Sequence, residues 1–125
     1  MFTITEDKTI YLTRGDVASI EITANTGNNE PYVFQIGDVV RFKVFVRKQC
    51  CQIVLQKDVI VESATETVNI SLTSTDSKMG EIINKPVDYW YEIELNPDTN
   101  PQTIIGYDSD GPKILRLFPE GGEVT

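Results

Sequence analysis

The sequence predicts an all-β sandwich, and three observations carry that prediction. Short runs in which apolar and polar residues alternate with period two recur along the chain. Clusters of Gly, Pro, Asn and Asp separate them, and helical signal is confined to one brief stretch. Seven or eight antiparallel strands at this spacing fit two packed sheets, with a closed barrel as the alternative, because pattern alone does not say whether a sheet closes. At 125 residues the chain reads as one domain, 1–125. That length buries about two-thirds of the unfolded surface, so neither disulfides nor metals are needed for a core.

The elements follow in order. Ile10-Tyr11-Leu12 is the first strand, closed by the turn Arg14-Gly15-Asp16. Ala18 to Ala24 alternates cleanly. Val40 to Arg47 places Val40, Phe42, Val44 and Val46 on one face and Arg41, Lys43 and Arg47 on the other. Ile53 to Val61 is β-branched, with a turn or bulge expected near Lys57-Asp58. Val68, Ile70 and Leu72 alternate with Asn69 and Ser71. Thr73 to Gly80 carries capping residues and a glycine stop, enough for a single helical turn bridging the sheets. In the next strand Tyr89, Tyr91, Ile93 and Leu95 oppose Trp90, Glu92 and Glu94. Thr103-Ile104-Ile105 and Ile114 to Phe118 complete the set. Phe42, Val44, Ile70, Tyr91 and Ile93 are therefore expected core residues, drawn from facing sheets.

Charge and composition narrow the function. The net charge is −8; through Glu62 there are 7 basic and 8 acidic residues, and beyond it 4 basic and 11 acidic. Such an acidic second half disfavours nucleic acid, whose phosphates call for clustered Lys and Arg. The N-terminus shows no basic region followed by an apolar stretch, so no signal peptide is expected. Apolar runs stop at three residues, as in Val59-Ile60-Val61, so no membrane span is expected. Cys50 and Cys51 are adjacent, and on a strand their side chains would point to opposite faces. They are expected to be unpaired thiols, consistent with a reducing cytoplasm.

Candidate motifs are few. Arg14-Gly15-Asp16 matches the integrin-binding tripeptide by letter but reads as a turn with a positive-φ glycine. Asp108-Ser109-Asp110-Gly111, with Asp98 nearby in sequence, opens like a calcium loop but lacks the downstream glutamate, and reads as a polar hairpin tip. The chain has no histidine, no Gly-x-Ser-x-Gly elbow and no glycine-rich phosphate loop. Glu92 and Glu94 are expected to pair across strands with Arg41 or Lys43. No catalytic residue, cofactor or metal is expected. Trp90 is the most informative residue: either the Met79 to Pro86 segment covers it, or it is exposed and anchors a partner, with Glu92 and Glu94 steering a basic surface onto it.

The order of motifs resembles a known group. Leu12-Thr13-Arg14-Gly15-Asp16, Gly37-Asp38-Val39-Val40-Arg41-Phe42-Lys43-Val44, Ile70-Ser71-Leu72-Thr73 with Asp76, Tyr89-Trp90-Tyr91-Glu92-Ile93-Glu94-Leu95, and Thr103-Ile104-Ile105-Gly106 together resemble small tail-module proteins of phages and prophages of Gram-positive bacteria. The layout is similar to the N-terminal immunoglobulin-like domain of siphophage baseplate upper proteins, from about Leu12 to Phe118. Glu92 departs from it, standing where an aspartate is more usual. The resemblance implies an immunoglobulin-like Greek-key β-sandwich with one short helical turn. It also implies a non-catalytic structural or assembly component of a phage tail or baseplate, made in the host cytoplasm and then carried in the virion. Partners would be other tail or baseplate proteins, with homo-oligomer formation left open. A carbohydrate-binding or adhesin-type module stacking sugars on Tyr32, Trp90 or Tyr107 is the alternative.

Overall fold

Alternation becomes two sheets in the computed structural model, which describes residues 2–5, 7–26, 28, 30–46, 52–109 and 111–120. Nine strands form among the described residues: β1 (Phe2–Ile4), β2 (Ile10–Thr13), β3 (Ala18–Ile22), β4 (Val39–Phe45), β5 (Ile53–Ile60), β6 (Val68–Leu72), β7 (Val87–Leu95), β8 (Gln102–Ile105) and β9 (Lys113–Phe118). The large sheet runs β1-β2-β9-β7-β4-β5, with β8 also on β7; the small sheet is β3-β6. The connections β3 to β4, β5 to β6 and β6 to β7 all pass between sheets. The order β9-β7-β4-β5 opposite β3-β6 corresponds to strands G-F-C-C′ opposite B-E of the immunoglobulin sandwich.

Two expectations are corrected. The described residues form nine strands, not seven or eight, because Phe2–Ile4 adds a short edge strand that pairs with β2. The pairing is not wholly antiparallel either: β2 runs parallel to β9, from Ile10 opposite Leu115 to Thr13 opposite Phe118. The irregularity expected near Lys57-Asp58 is absent. β5 continues straight through, and its bulge lies where Val44/Phe45 meet Leu55 and Ile53. Lys57 and Asp58 fit because each meets an opposite charge on its own side: Lys57 reaches Asp76 at 2.5 Å, and Asp58 reaches Arg41 at 2.9 Å. Cys50 and Cys51 lie outside the described residues.

The inward residues of both sheets meet in one core. Phe42, Val44, Ile70 and Ile93 are fully buried and Tyr91 nearly so, as the alternation requires. Phe42 and Tyr91 pack with ring centroids 5.7 Å apart. The helical stretch is a 3-10 turn at Asp76–Lys78, leading from β6 in the small sheet to β7 in the large one.

That turn is bolted to the one after β2. Gly15 has φ +88°, which only glycine adopts without strain, and a Cβ there would sit 3.0 Å from the Glu120 carboxylate. The Gly15 amide donates to Ser77 Oγ at 2.9 Å, and Arg14 donates to the Met79 carbonyl at 2.6 Å. Arg14 is only 4% exposed, so the tripeptide Arg14-Gly15-Asp16 is a structural turn with its arginine held inside.

Candidate functional site

Residues paired in register point to the same side of a sheet, so the outer face of the large sheet can be read row by row. Phe45, Trp90 and Ile114 form one row across β4, β7 and β9. Lys43 lies opposite Glu92, and Arg41 opposite both Glu94 and Asp58. On the other side of the aromatic row, Asp88 pairs with Arg116 at 2.7 Å, and Tyr11 stacks on Phe118 with centroids 6.2 Å apart. The face therefore carries an aromatic band beside an ion-pair ladder.

Trp90 lies in the middle of this band and is part-buried. Phe45 meets it edge-on at 6.4 Å, and Tyr107, from the loop between β8 and β9, meets it at 6.2 Å with 60° between the rings. Tyr107 itself is 72% exposed. The cover over Trp90 is thus Phe45 and Tyr107. The Met79 to Pro86 segment, the expected cover, lies on the other side of β7: Met79 is buried in the core, and Gly80 abuts the hydroxyl of inward-facing Tyr89. Among the described residues, the Trp90 indole Nε1 is enclosed and has no hydrogen-bond acceptor. A buried donor in this state costs about 1–3 kcal/mol.

Glu92 and Glu94 converge on one cation. Lys43 Nζ lies 2.9 Å from Glu92 and 3.0 Å from Glu94. Burial alone would lower the Lys43 pKa, but the two carboxylates outweigh it and the pKa rises. Arg41 is likewise clamped, by Asp58 at 2.9 Å and Asp98 at 3.1 Å, and these bonds raise its pKa as well. Each cation is outnumbered two to one, so the ladder keeps a net negative charge while holding its carboxylates in fixed places. Gly106 closes β8 beside this ladder, where a Cβ would strike the Thr103 methyl at 2.7 Å.

The remaining acidic residues divide. Asp108 faces Gly111 across a hairpin tip, with amide–carbonyl bonds of 2.9 and 3.2 Å, and Lys113 reaches its carboxylate at 2.9 Å. That is the polar turn expected, while Asp110 lies outside the described residues. Asp98 sits apart, on Arg41.

A second feature was not visible in the sequence. A cleft of about 710 Å³ opens between the end of β3 and β8, with Tyr32 and Lys8 at its sides and Leu95 and Ile105 among its lining residues. Tyr32 Oη donates to Asp38 at 2.7 Å, a bond that raises the tyrosine pKa. Sequence reasoning also missed Phe45 as part of the Trp90 site. The signal was available, since Phe45 falls out of phase with Phe42 and Val44 and so places an aromatic ring on the polar face.

Comparison with known proteins gave no matching family model, no matching curated protein and no matching solved structure. The all-β sandwich stands on the strand order and register of this chain alone.

Proposed function

We propose that this chain is a non-catalytic structural component of a phage tail or baseplate, which docks through the outer face of its large sheet onto a larger virion partner. The observation that carries the reading is Trp90, an outward-facing indole held between two aromatic rings with its N–H enclosed and lacking an acceptor. Aromatic residues of this kind anchor interfaces because they bring large area with few rotatable bonds. An acceptor on the partner would supply the missing hydrogen bond once Tyr107 moves aside. The ladder beside it favours a basic partner surface. Its carboxylates are fixed by Lys43 and Arg41, so they contribute orientation and long-range attraction more than new ion pairs.

Glu92 and Glu94, held by Lys43, take a supporting part in this reading, and Trp90 and Tyr107 the central one. The sugar-platform alternative has less support. Trp90 and Tyr107 lie at 60° to each other, and Tyr32 lines the separate cleft, so the three rings do not make one stacking surface.

The test is binding to tail and baseplate proteins from the same genome, measured by surface plasmon resonance. Trp90→Ala and Tyr107→Ala, each shown to be folded by circular dichroism, should release the partner at least about tenfold faster. Raising salt should slow association more than it shortens lifetime. Undiminished binding by both folded variants would remove this face from the assembly.

A further inference from the structure

The cleft between β3 and β8 has walls of an unusual kind. A surface made by side chains takes every second residue of a strand, because successive side chains point to opposite faces. This cleft is lined by consecutive residues, 102 to 105 on one side and 23 to 26 on the other. On the 102 to 105 side, which is β8, a lining that runs through every residue in turn is the edge of a strand. Among the described residues β8 pairs with β7 alone, so it has a second, open edge; the opposite wall, 23 to 26, lies just past β3 and bonds to 30 to 32, Tyr32 N–H to the Ala24 carbonyl at 2.8 Å and Thr26 N–H to the Glu30 carbonyl at 2.7 Å.

Dimensions agree with that view. From strand and sheet spacings, a residue packed in a strand occupies about 160 Å³. A volume of about 710 Å³ therefore takes four to five residues in extended form, and β8 is four residues long. Leu95, Ile104 and Ile105 supply an apolar floor, and the charged side chains at the cleft, Lys8 and Glu21, are of opposite sign.

From these observations we infer that the cleft is a strand-acceptor site: it takes a short, uncharged, extended polypeptide segment of a partner protein, which hydrogen-bonds to the open edge of β8. Alternate side chains of that segment, aliphatic ones, seat on Leu95, Ile104 and Ile105, while the intervening ones face outward. Backbone bonds give such a site its affinity and the floor gives it selectivity. The site is separate from the Trp90 face and does not depend on its role.

The test is amide hydrogen exchange, read by NMR on the full chain, with a panel of end-blocked hexapeptides alternating Thr with Val, Ile or Leu. At millimolar concentration at least one member should slow exchange of β8 amides about tenfold and saturably. Peptides of the same composition with the aliphatic residues in one block should not. Thr103→Pro, which removes a β8 donor, should weaken the effect at least tenfold. Ile104→Glu, which charges the floor, should do the same and serves if the proline variant does not fold. Three results would overturn the inference: no peptide of the panel protecting β8, equal protection along the open edge of β5, or protection by maltotetraose with none by the peptides. The last would make the cleft a carbohydrate site.

Discussion

Replacing Trp90 with Phe should leave the protein as stable as before or make it more stable, although Trp90 is the chain's single tryptophan and sits in an aromatic band. Two effects oppose each other. The smaller ring gives up roughly 40 Å² of buried area, worth about 1 kcal/mol. Against this, the substitution removes the enclosed indole N–H that no described residue accepts. Leaving such a donor unpaired costs about 1–3 kcal/mol, and an apolar group of similar shape avoids that cost. The net expectation runs from neutral to about 2 kcal/mol of stabilisation. For a chain of this size that corresponds to a melting temperature between unchanged and roughly 8 °C higher. Urea unfolding followed by far-ultraviolet circular dichroism measures it, since the variant loses the fluorescence signal. The reasoning fails if Trp90→Phe loses more than about 1.5 kcal/mol with an unchanged slope, because the indole N–H must then be well bonded in solution.

Other perturbations test the rest of the structure. Phe42→Ala, at a fully buried ring packed on Tyr91, should cost about 3–5 kcal/mol in the same unfolding assay; a melting point within a degree or two of the parent would mean that β4 faces the other way. Lys43→Met leaves Glu92 and Glu94 facing each other without their shared cation, so it should destabilise by about 1 kcal/mol at low salt and by less at high salt, a pattern that titration with sodium chloride reads directly. For Asp38 and Asp76, burial pushes the carboxyl pKa up, but stronger hydrogen bonds overcome it: from Gln35, Tyr32 and Asn96 to Asp38, and from Lys57 and Thr73 to Asp76. Both folded pKa values thus lie below the ordinary aspartate value of 3.8, so their stabilisation is complete above it and is lost as pH falls through the folded values. Urea midpoints between pH 6 and pH 2 should drop most steeply at the acid end, and less so in Asp38→Asn. A Cys50→Ser, Cys51→Ser double variant should fold and stay soluble, and intact-mass measurement of the parent should show two free thiols.

What could be read in advance was whatever a single strand encodes about itself. β4 and β7 alternate without a break, so their inward residues were evident from Phe42, Val44, Tyr91 and Ile93. β1 escaped because three residues carry too little pattern, and because its strand character comes from Leu12, Tyr11 and Ile10 opposite it. Parallel pairing of β2 with β9 is equally invisible, since nothing local to Ile10 announces Leu115. The charges at Lys57 and Asp58 suggested a break because the sequence does not show that Asp76 waits on one face and Arg41 on the other. For the site, alternation correctly turned Trp90, Glu92 and Glu94 outward. It could not supply Tyr107, which reaches Trp90 from a loop beyond the next strand, nor the cleft, which exists only where the open edge of β8 faces the chain just past β3.

The pairing of β2 with β9 also sets when folding can finish. Ile10 and Leu115 meet across about a hundred residues of chain, among the longest separations this protein could use. Contacts this distant are slow to form, because the entropy of closing the loop is lost before the contact gives anything back. On a ribosome adding about 5–20 residues each second, β2 has no neighbour on that side for several seconds after it emerges. During that interval Ile10 and Leu12, which end up fully buried, have no β9 to cover them. The hairpin of β4 and β5 can form early from local sequence, whereas the amino-terminal strands must wait for the last one. A shortened chain lacking β9 should therefore expose those side chains for good, and aggregation during synthesis, not a lower melting point, is the failure to expect of it.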